Sequence, residues 1–429
     1  MSLTLTTASP DSETALRRAA LYLAWASAVS VLFSIAASQI LLGLAVVAVL
    51  VSRTRLRLPR IWLPLALFMA GTVLSLLLSG NMRAGLPQIR KFYVYLTLLV
   101  VFSTFRALVD VRRLMFGWAA AGGLAAIAGL VQFARKVQGA RVHGGTFYDF
   151  YVWERIKGFT SNWQTFAFQM MIVLLMVGAF LLFSPRARGR AFWLCLAAAG
   201  LAGAALLMSY TRGAWLAAAC AGAYLLWFRK RWLLAGVPIL LGLLLWINPG
   251  SVRVRFQSAY QPREELDSNQ HRVVCWKTGW AMIRAHPWFG VGPEMVLPNL
   301  MQYVPWEYRR SANRQPLPNG WYGHLHNLYI HYAAERGVPT ALALLWLLAM
   351  ALWDFLGALR RLPAGPGEEK AILHGAVAVI VGILVGGLFE VDLGHSEVLA
   401  PFLAVLACGY LAVESLQRQP PTKAGAAAL

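Results

Sequence analysis

The chain has 429 residues, 59% of them hydrophobic and only 13% charged, about half the roughly 25% of an ordinary soluble domain. With a mean hydropathy of +0.57, it carries more apolar surface than a soluble globule can hide. That excludes soluble dinucleotide-binding enzymes, repeat solenoids and disordered scaffolds, and leaves an all-α integral membrane protein. The balance of 39 Lys+Arg against 18 Asp+Glu, net +21, would suggest nucleic acid in a soluble protein. In a membrane protein part of the excess belongs to cytoplasmic loops, and no nucleic-acid partner is expected.

Asp11 and Glu13 lie in the N-terminal segment, and the first apolar run leads straight into a second. Both features argue against a cleavable signal peptide. Apolar runs then follow near 20–36, 38–52, 61–79, 92–105, 114–133, 163–183, 191–208, 213–228, 232–247, 326–357, 371–389 and 397–416, which predicts about twelve transmembrane helices. A single helix over 20–52 would be about 50 Å long, too long for a core of about 30 Å, so two short spans are expected there, divided near Ser38 and Gln39. The organisation is therefore helices 1–9 with short loops over 1–248, a large loop domain over 249–325, helices 10–12 over 326–416 and a tail over 417–429. Cys195, Cys220 and Cys408 fall in apolar runs and Cys275 stands alone in a polar region. No spacing suggests a disulfide or metal site, so all four read as packing residues.

Alternation of the spans tests orientation. With both termini cytoplasmic, the inner segments include Arg17 and Arg18, the run 53–60, the turn 106–113, the loops 185–190, 229–231 and 358–370, and the tail. These short basic pieces hold 20 of the 39 Lys+Arg, as the positive-inside rule requires. The other 19 lie outside, where short loops should be poor in cations. The 134–160 loop holds Arg135, Lys136, Arg141, Arg155 and Lys157, and the 249–325 loop holds nine more. Phosphate is the natural partner for such a set, since the guanidinium fork matches its geometry. The plainer alternative is that they solvate loops or touch membrane lipid headgroups.

Four features stand out. Arg155 to Asn162 places two cations, Arg155 and Lys157, before a helix start, whose exposed N–H groups favour an anion; an ordinary cap at Ser161 or Asn162 is the alternative. Arg212 sits in the tight external turn Ser209 to Leu216, at the edge of the hydrocarbon. An ion there is functional by default, unless it only snorkels. The 249–325 loop is too long for a connector and rich in Trp, including Trp276, Trp280, Trp288, Trp306 and Trp321. It reads as a folded cap with amphipathic helices near the membrane surface. In it, Val273, Trp276, Trp280 and Ile283 recur at helical spacing and form one face, and His286 to Pro293 breaks the helix. Last come His324, His326 and His331 within eight residues. On a helix His324 and His331 would share a face and His326 would point away, so a metal site is disfavoured. One of these histidines, His326 or His324, is the better candidate, as a general base for a hydroxyl. No P-loop, H-E-x-x-H or external D-x-D competes.

Together these residues resemble the bacterial O-antigen ligase and O-antigen polymerase superfamily. His326-Asn327 with Leu328, then Glu335-Arg336-Gly337, is similar to its H-N-x-x-L…E-x-G signature. Arg212 to Leu216 is similar to its R-x-x-x-L turn, and Arg272 with Trp276 opens the large loop as in the family. The resemblance implies a GT-C-like glycosyltransferase of the inner membrane with a periplasmic site. It implies transfer of a polysaccharide from undecaprenyl diphosphate to a sugar hydroxyl of lipid A–core, inverting, without metal or cofactor and as a monomer. In that scheme His326 is the base, with His324 as the competing candidate. Arg212 and Arg272 hold the departing diphosphate, and Arg155, Lys157, Asn327 and Trp276 support substrate. Rival readings are an O-antigen polymerase, a protein O-oligosaccharyltransferase and, from another class, a lipid-linked sugar transporter. The transporter is disfavoured because the span interiors are nearly all Leu, Ala, Val and Gly, with exceptions such as Asp354 near ends.

Overall fold

The structure is a computed structural model that describes residues 10–143, 146–261, 269–309, 316–318, 320 and 322–418. Most of the expected tail, and Trp321, lie outside the described residues. The α-helices, in chain order, are α1 (Pro10–Ser30), α2 (Ile35–Val51), α3 (Trp62–Leu78), α4 (Met82–Arg90), α5 (Phe92–Thr104), α6 (Leu108–His143), α7 (Phe147–Tyr151), α8 (Trp163–Phe183) and α9 (Gly189–Met208). They continue as α10 (Arg212–Lys230), α11 (Gly236–Ile247), α12 (Val252–Gln257), α13 (Asn269–Ala285), α14 (Val296–Tyr303), α15 (Leu328–Arg336), α16 (Val338–Arg361), α17 (Glu368–Gly386) and α18 (Ser396–Arg418).

Seven stretches are long and apolar enough to cross a membrane: Leu108–Val142, Trp163–Phe183, Gly189–Met208, Arg212–Ile247, Val338–Arg361, Glu368–Gly386 and Ser396–Arg418. Ile35–Val51 and Trp62–Leu78 are shorter apolar helices. The chain is thus an all-helical, multi-pass membrane protein. Three boundaries differ from the sequence expectation. The first two helices part at 31–34, not at Ser38, because Ser34 caps α2 by accepting from the Ala37 N–H. Ser38 instead faces Ser27 inside the hairpin, each hydroxyl donating to the other's carbonyl at 2.8 Å. Helix α6 runs on through residues placed in the 134–160 loop, so that loop begins as a continuation of the helix. The run 326–357 is two helices, broken at Gly337.

The centre of the bundle is α8, α17 and α18, where 78%, 72% and 89% of the apolar windows are buried. At the opposite extreme, none of the corresponding window of Arg212–Ile247 is buried, and α11 presents its apolar side chains outward as lipid would require. Some polar side chains inside the bundle find partners across it. Gln169 donates to the carbonyls of Val31 and Glu397 at 3.1 and 2.9 Å. Asp354 receives Arg60 at 2.7 Å and the Tyr410 hydroxyl at 3.0 Å.

The connections gather at two ends. At one end Arg57 meets Glu414 at 2.5 Å, Arg186 meets Glu368 at 2.5 Å and Arg112 meets Glu368. At the other end Tyr151 donates to Met208 O at 2.6 Å and Lys91 to Gly394 O at 2.9 Å, while Arg272 meets Glu390. The ends of α3 and α5 tie these sets to opposite sides, about 25 Å apart by the rise of a 17-residue helix.

The segment after α11 has its own small core, with Val274, Cys275, Met282, Val296, Leu300 and Leu325 buried together. The buried face of α13 is His271, Val274, Cys275, Thr278 and Met282. The apolar face expected from spacing is largely the other one, with Val273 and Trp280 exposed and only Ile283 at its buried edge. Exposed indole and valine on the cap suit an interfacial helix. Glu335-Arg336-Gly337 fastens this cap to the bundle. The N–H groups of Val291 and Gly292 donate to the carbonyls of Ala334 and Glu335 at 2.8 Å, and Val338 donates to Pro287 at 2.8 Å. Gly337 has φ 86, and a Cβ there would strike the Trp288 carbonyl. Only glycine permits both the backbone sign and the approach.

Candidate active site

The site is built on the start of α15. Asn327 caps the helix, accepting from the N–H groups of Tyr329 and Ile330 at 3.1 and 3.0 Å. Its amide also donates to Leu388 O at 3.0 Å, and Leu328 N–H donates to Gly387 O at 2.7 Å. These bonds lock the helix start onto the connection between α17 and α18. His326, just before the cap, has φ 47, a left-handed conformation that a non-glycine residue holds only when its surroundings fix it. The Trp276 indole contributes by donating to His326 O at 3.3 Å.

The connection so docked carries Glu390, whose side chain is 3% exposed. One carboxylate oxygen accepts from Arg272 Nη2, and the other lies 3.1 Å from His326 Nδ1. Burial alone would raise Glu390, but Arg272 and His326 beside it prevail and hold it at about 2. An ionised carboxylate only accepts, so Nδ1 of His326 must be the nitrogen that carries hydrogen. In the neutral ring Nε2 is then the bare, basic nitrogen, and no hydrogen bond occupies it among the described residues. This tautomer selection by a carboxylate is what a general base requires.

His324 stands beside it, ring centroids 4.1 Å apart, and its Nδ1 accepts from His326 N–H at 3.3 Å. Burial, reinforced by His326, lowers His324 to about 3, so it is neutral at ordinary pH. Because α15 begins at Leu328, His324 and His326 lie in a turn, and the helical phase expected to separate them does not apply. His331 is inside α15, facing Glu335 at 3.5 Å. Among the described residues no three His, Cys, Asp or Glu are arranged to hold a metal ion.

Four guanidiniums gather against this centre. Burial, then Arg255, Arg272 and Arg212, lower the pKa of Arg155 well below its ordinary value. Burial is the larger cause and the neighbouring positive charges add to it, while arginine itself stays protonated. Arg155 lies over the Trp163 ring at 5.0 Å, and its Nε donates to Val152 O at 2.8 Å; no carboxylate pairs with it among the described residues. Arg212 opens α10 and donates to Ser258 Oγ at 3.1 Å and Asn269 Oδ1 at 2.6 Å. Arg255 is buried and donates to Tyr210 O at 3.0 Å, bracing the left-handed Tyr210 turn (φ 54) that presents Arg212.

The structure thus brings His326, His324, Arg272, Arg212 and Arg155 to one place, with Asn327 and Trp276 as the struts around His326. Lys157 stays apart from them: its side chain is exposed and its charge acts on Glu154. The start of α8 is also occupied from within. Asn162 accepts from the N–H groups of Gln164 and Thr165 at 2.7 and 3.0 Å, and Ser161 N–H donates to Glu397 at 3.3 Å. Sequence reasoning missed Glu390 and the role of Arg255. Glu390 lies 64 positions from His326 and carries no motif. Its one signal is that the connection 387–395 carries two acids, Glu390 and Asp392, and no Lys or Arg.

Fold and site define a helical, multi-pass membrane protein with a histidine–carboxylate–arginine centre at one end of its bundle. Residues 197–345 match the Wzy_C family model, O-antigen ligase, and this bears out the O-antigen ligase superfamily read from the sequence. The family implies a glycosyltransferase-like enzyme of the O-antigen pathway, with a lipid-linked glycan donor and a lipid acceptor in the inner membrane. The matched stretch contains Arg212, Arg272 and His326, whereas Arg155 and Glu390 join them from outside it. No curated protein matches the chain.

Proposed function

We propose that the protein is an O-antigen ligase. It moves a polysaccharide from undecaprenyl diphosphate to a sugar hydroxyl of lipid A–core on the periplasmic side, in one inverting, metal-independent displacement. The observation that carries this reading is the bare Nε2 of His326, fixed through Glu390 beside four clustered arginines. In the reaction, Nε2 takes the proton of the acceptor hydroxyl as that oxygen forms a bond to the anomeric carbon. The bond from that carbon to the diphosphate oxygen breaks on the opposite face, and the diphosphate leaves with the electron pair. Arg212, Arg272 and Arg155 bind its charge, which grows as the bond lengthens, so their contribution is largest in the transition state. A diphosphate so neutralised needs no acid, while the hydroxyl does need a base.

Lipid substrates fit the surroundings. An apolar cavity of about 260 Å³ between α13, α15 and α16 opens beside the site, lined by Trp280, Ile283, Tyr329, Ala333 and Leu342, and suits a prenyl or acyl chain. The cationic end also suits a phosphate-rich core acceptor, which favours the ligase over a polymerase using the same donor. The test is transfer by purified protein from undecaprenyl-diphosphate glycan to rough lipopolysaccharide with EDTA present, resolved by gel and mass spectrometry. Glycan on lipid A–core is the expected product. Longer undecaprenyl-linked chains would make the protein a polymerase, and a modified Ser or Thr on an added pilin-like acceptor would make it a protein glycosyltransferase. Absence of transfer with metal restored would overturn the reading.

A further inference from the structure

At the end of the bundle opposite His326, five arginines converge on one open cavity of about 560 Å³. Arg17 and Arg18 come from α1, Arg53 and Arg55 from the α2–α3 connection, and Arg106 from the α5–α6 connection, with Thr104 in the wall. Among the described residues, no Asp or Glu lines it. A general excess of cations on one side of a membrane protein does not explain this arrangement. The neighbouring cations of the same end are matched to acids: Arg57 and Arg418 to Glu414, Arg60 to Asp354, Arg112 and Arg186 to Glu368, and Arg113 to Asp110. Arg18, Arg53, Arg55 and Arg106 have no such side-chain partner among the described residues. Arg53 is held with φ 47 in the wall. Three separate chain segments therefore bring like charges together around a space of small-ligand size, an arrangement that repels itself unless an anion occupies it.

We propose that this cavity binds a phosphate-bearing anion, its guanidiniums gripping phosphoryl oxygens. It opens where the helices end, and basic pockets between transmembrane helices on the cytoplasmic side take anionic headgroups. The same chemistry would also accept a soluble phosphate or diphosphate. The site does not depend on the transfer reaction proposed above.

The experiment uses the full chain in detergent. Native mass spectrometry and thermal unfolding are followed while cardiolipin, phosphatidylglycerol or phosphatidylcholine is added, and separately with inorganic phosphate and diphosphate. Anionic ligands are expected to be retained and to raise the unfolding temperature, and phosphatidylcholine is not. Arg18→Gln with Arg106→Gln should weaken anion binding about thirtyfold. Arg188→Gln with Arg190→Gln, two exposed arginines on the α8–α9 side of the same end, should weaken it less than about threefold. Binding of the lipids alone identifies a headgroup site, and displacement of lipid by millimolar diphosphate identifies a site open to the free anion. Equal losses in the two double variants, or no binding of any of these anions, would overturn the proposal. Should the first double variant fail to fold, Arg55→Gln carries the same prediction at about fivefold.

Discussion

The two ends of this molecule use arginine in opposite ways. At the His326 end, Arg272 is largely buried and tied to Glu390, Arg255 is buried and tied to Tyr210, and each guanidinium has a fixed direction. At the other end, Arg18, Arg53, Arg55 and Arg106 are exposed around an open cavity with no acid among its described lining residues. The first arrangement is preorganised: one buried carboxylate sets both a cation and an imidazole, as the proposed transfer requires of groups that meet developing charge. The second is a field of adaptable charges, suited to holding an anion and unsuited to directing a reaction. Positive charge alone does not distinguish the proposed catalytic end of this chain; the buried Glu390 does.

Substitutions should separate the ends sharply. His326→Ala should lower turnover at saturating substrates by about a thousandfold, the scale of a lost general base; most of the rate surviving would remove His326 from that role. Glu390→Gln should cost about a hundredfold, because a neutral amide no longer imposes the Nδ1–H tautomer and leaves Arg272 buried without its counter-charge. The same variant tests pH. Glu390 is depressed from 4.5 to about 2 in the folded protein, so its stabilising share is full above the ordinary carboxylate range and is lost as pH falls toward 2. Thermal unfolding of the wild type should lose stability across that window by more than the variant does. Equal acid sensitivity of the two proteins would mean that the carboxylate is not so paired.

Arg272→Lys keeps the charge and loses the fork, with an expected fall in turnover of about tenfold, measured in the same transfer assay; unchanged turnover would argue against diphosphate contact. Gly337→Ala should destabilise the protein by about 1–3 kcal/mol through its positive φ and the clash with Trp288, read as a lower unfolding temperature. Arg18→Gln with Arg106→Gln is expected to leave transfer at wild-type rate. A loss as large as that of Arg272→Lys would erase the distinction between the ends.

Much of this was legible in the sequence, for identifiable reasons. Uninterrupted apolar runs have few alternatives to membrane helices, so the stretches over α6, α8, α9, α17 and α18 could be read directly. Local capping was legible too, since Asn327 and Asn162 act on the next two or three residues. The superfamily followed from short motifs whose order along the chain is itself sequence information. Phase and partnership were less accessible. The exposed face of α13 carries apolar side chains, Val273 and Trp280, as the buried face does, so periodicity alone could not tell which face packs inward. The histidines were assigned helical phase before the helix actually begins.

Composition and local spacing determined that this chain enters the membrane as helices, that its surplus cations fall in loops, and that His326, Arg212 and Arg272 are candidates. Only the tertiary structure decided which acid each cation meets. Glu390 reaches His326 and Arg272 across 64 and 118 positions of chain. Packing of α15 against the α17–α18 connection, not any spacing along the sequence, brings them within a hydrogen bond. The same logic draws Glu368, Glu414 and Asp354 to arginines outside the opposite cavity, by where their helices end. Charge pairing acts over a few ångströms in space and has no period along the chain, which is why folding had to settle it.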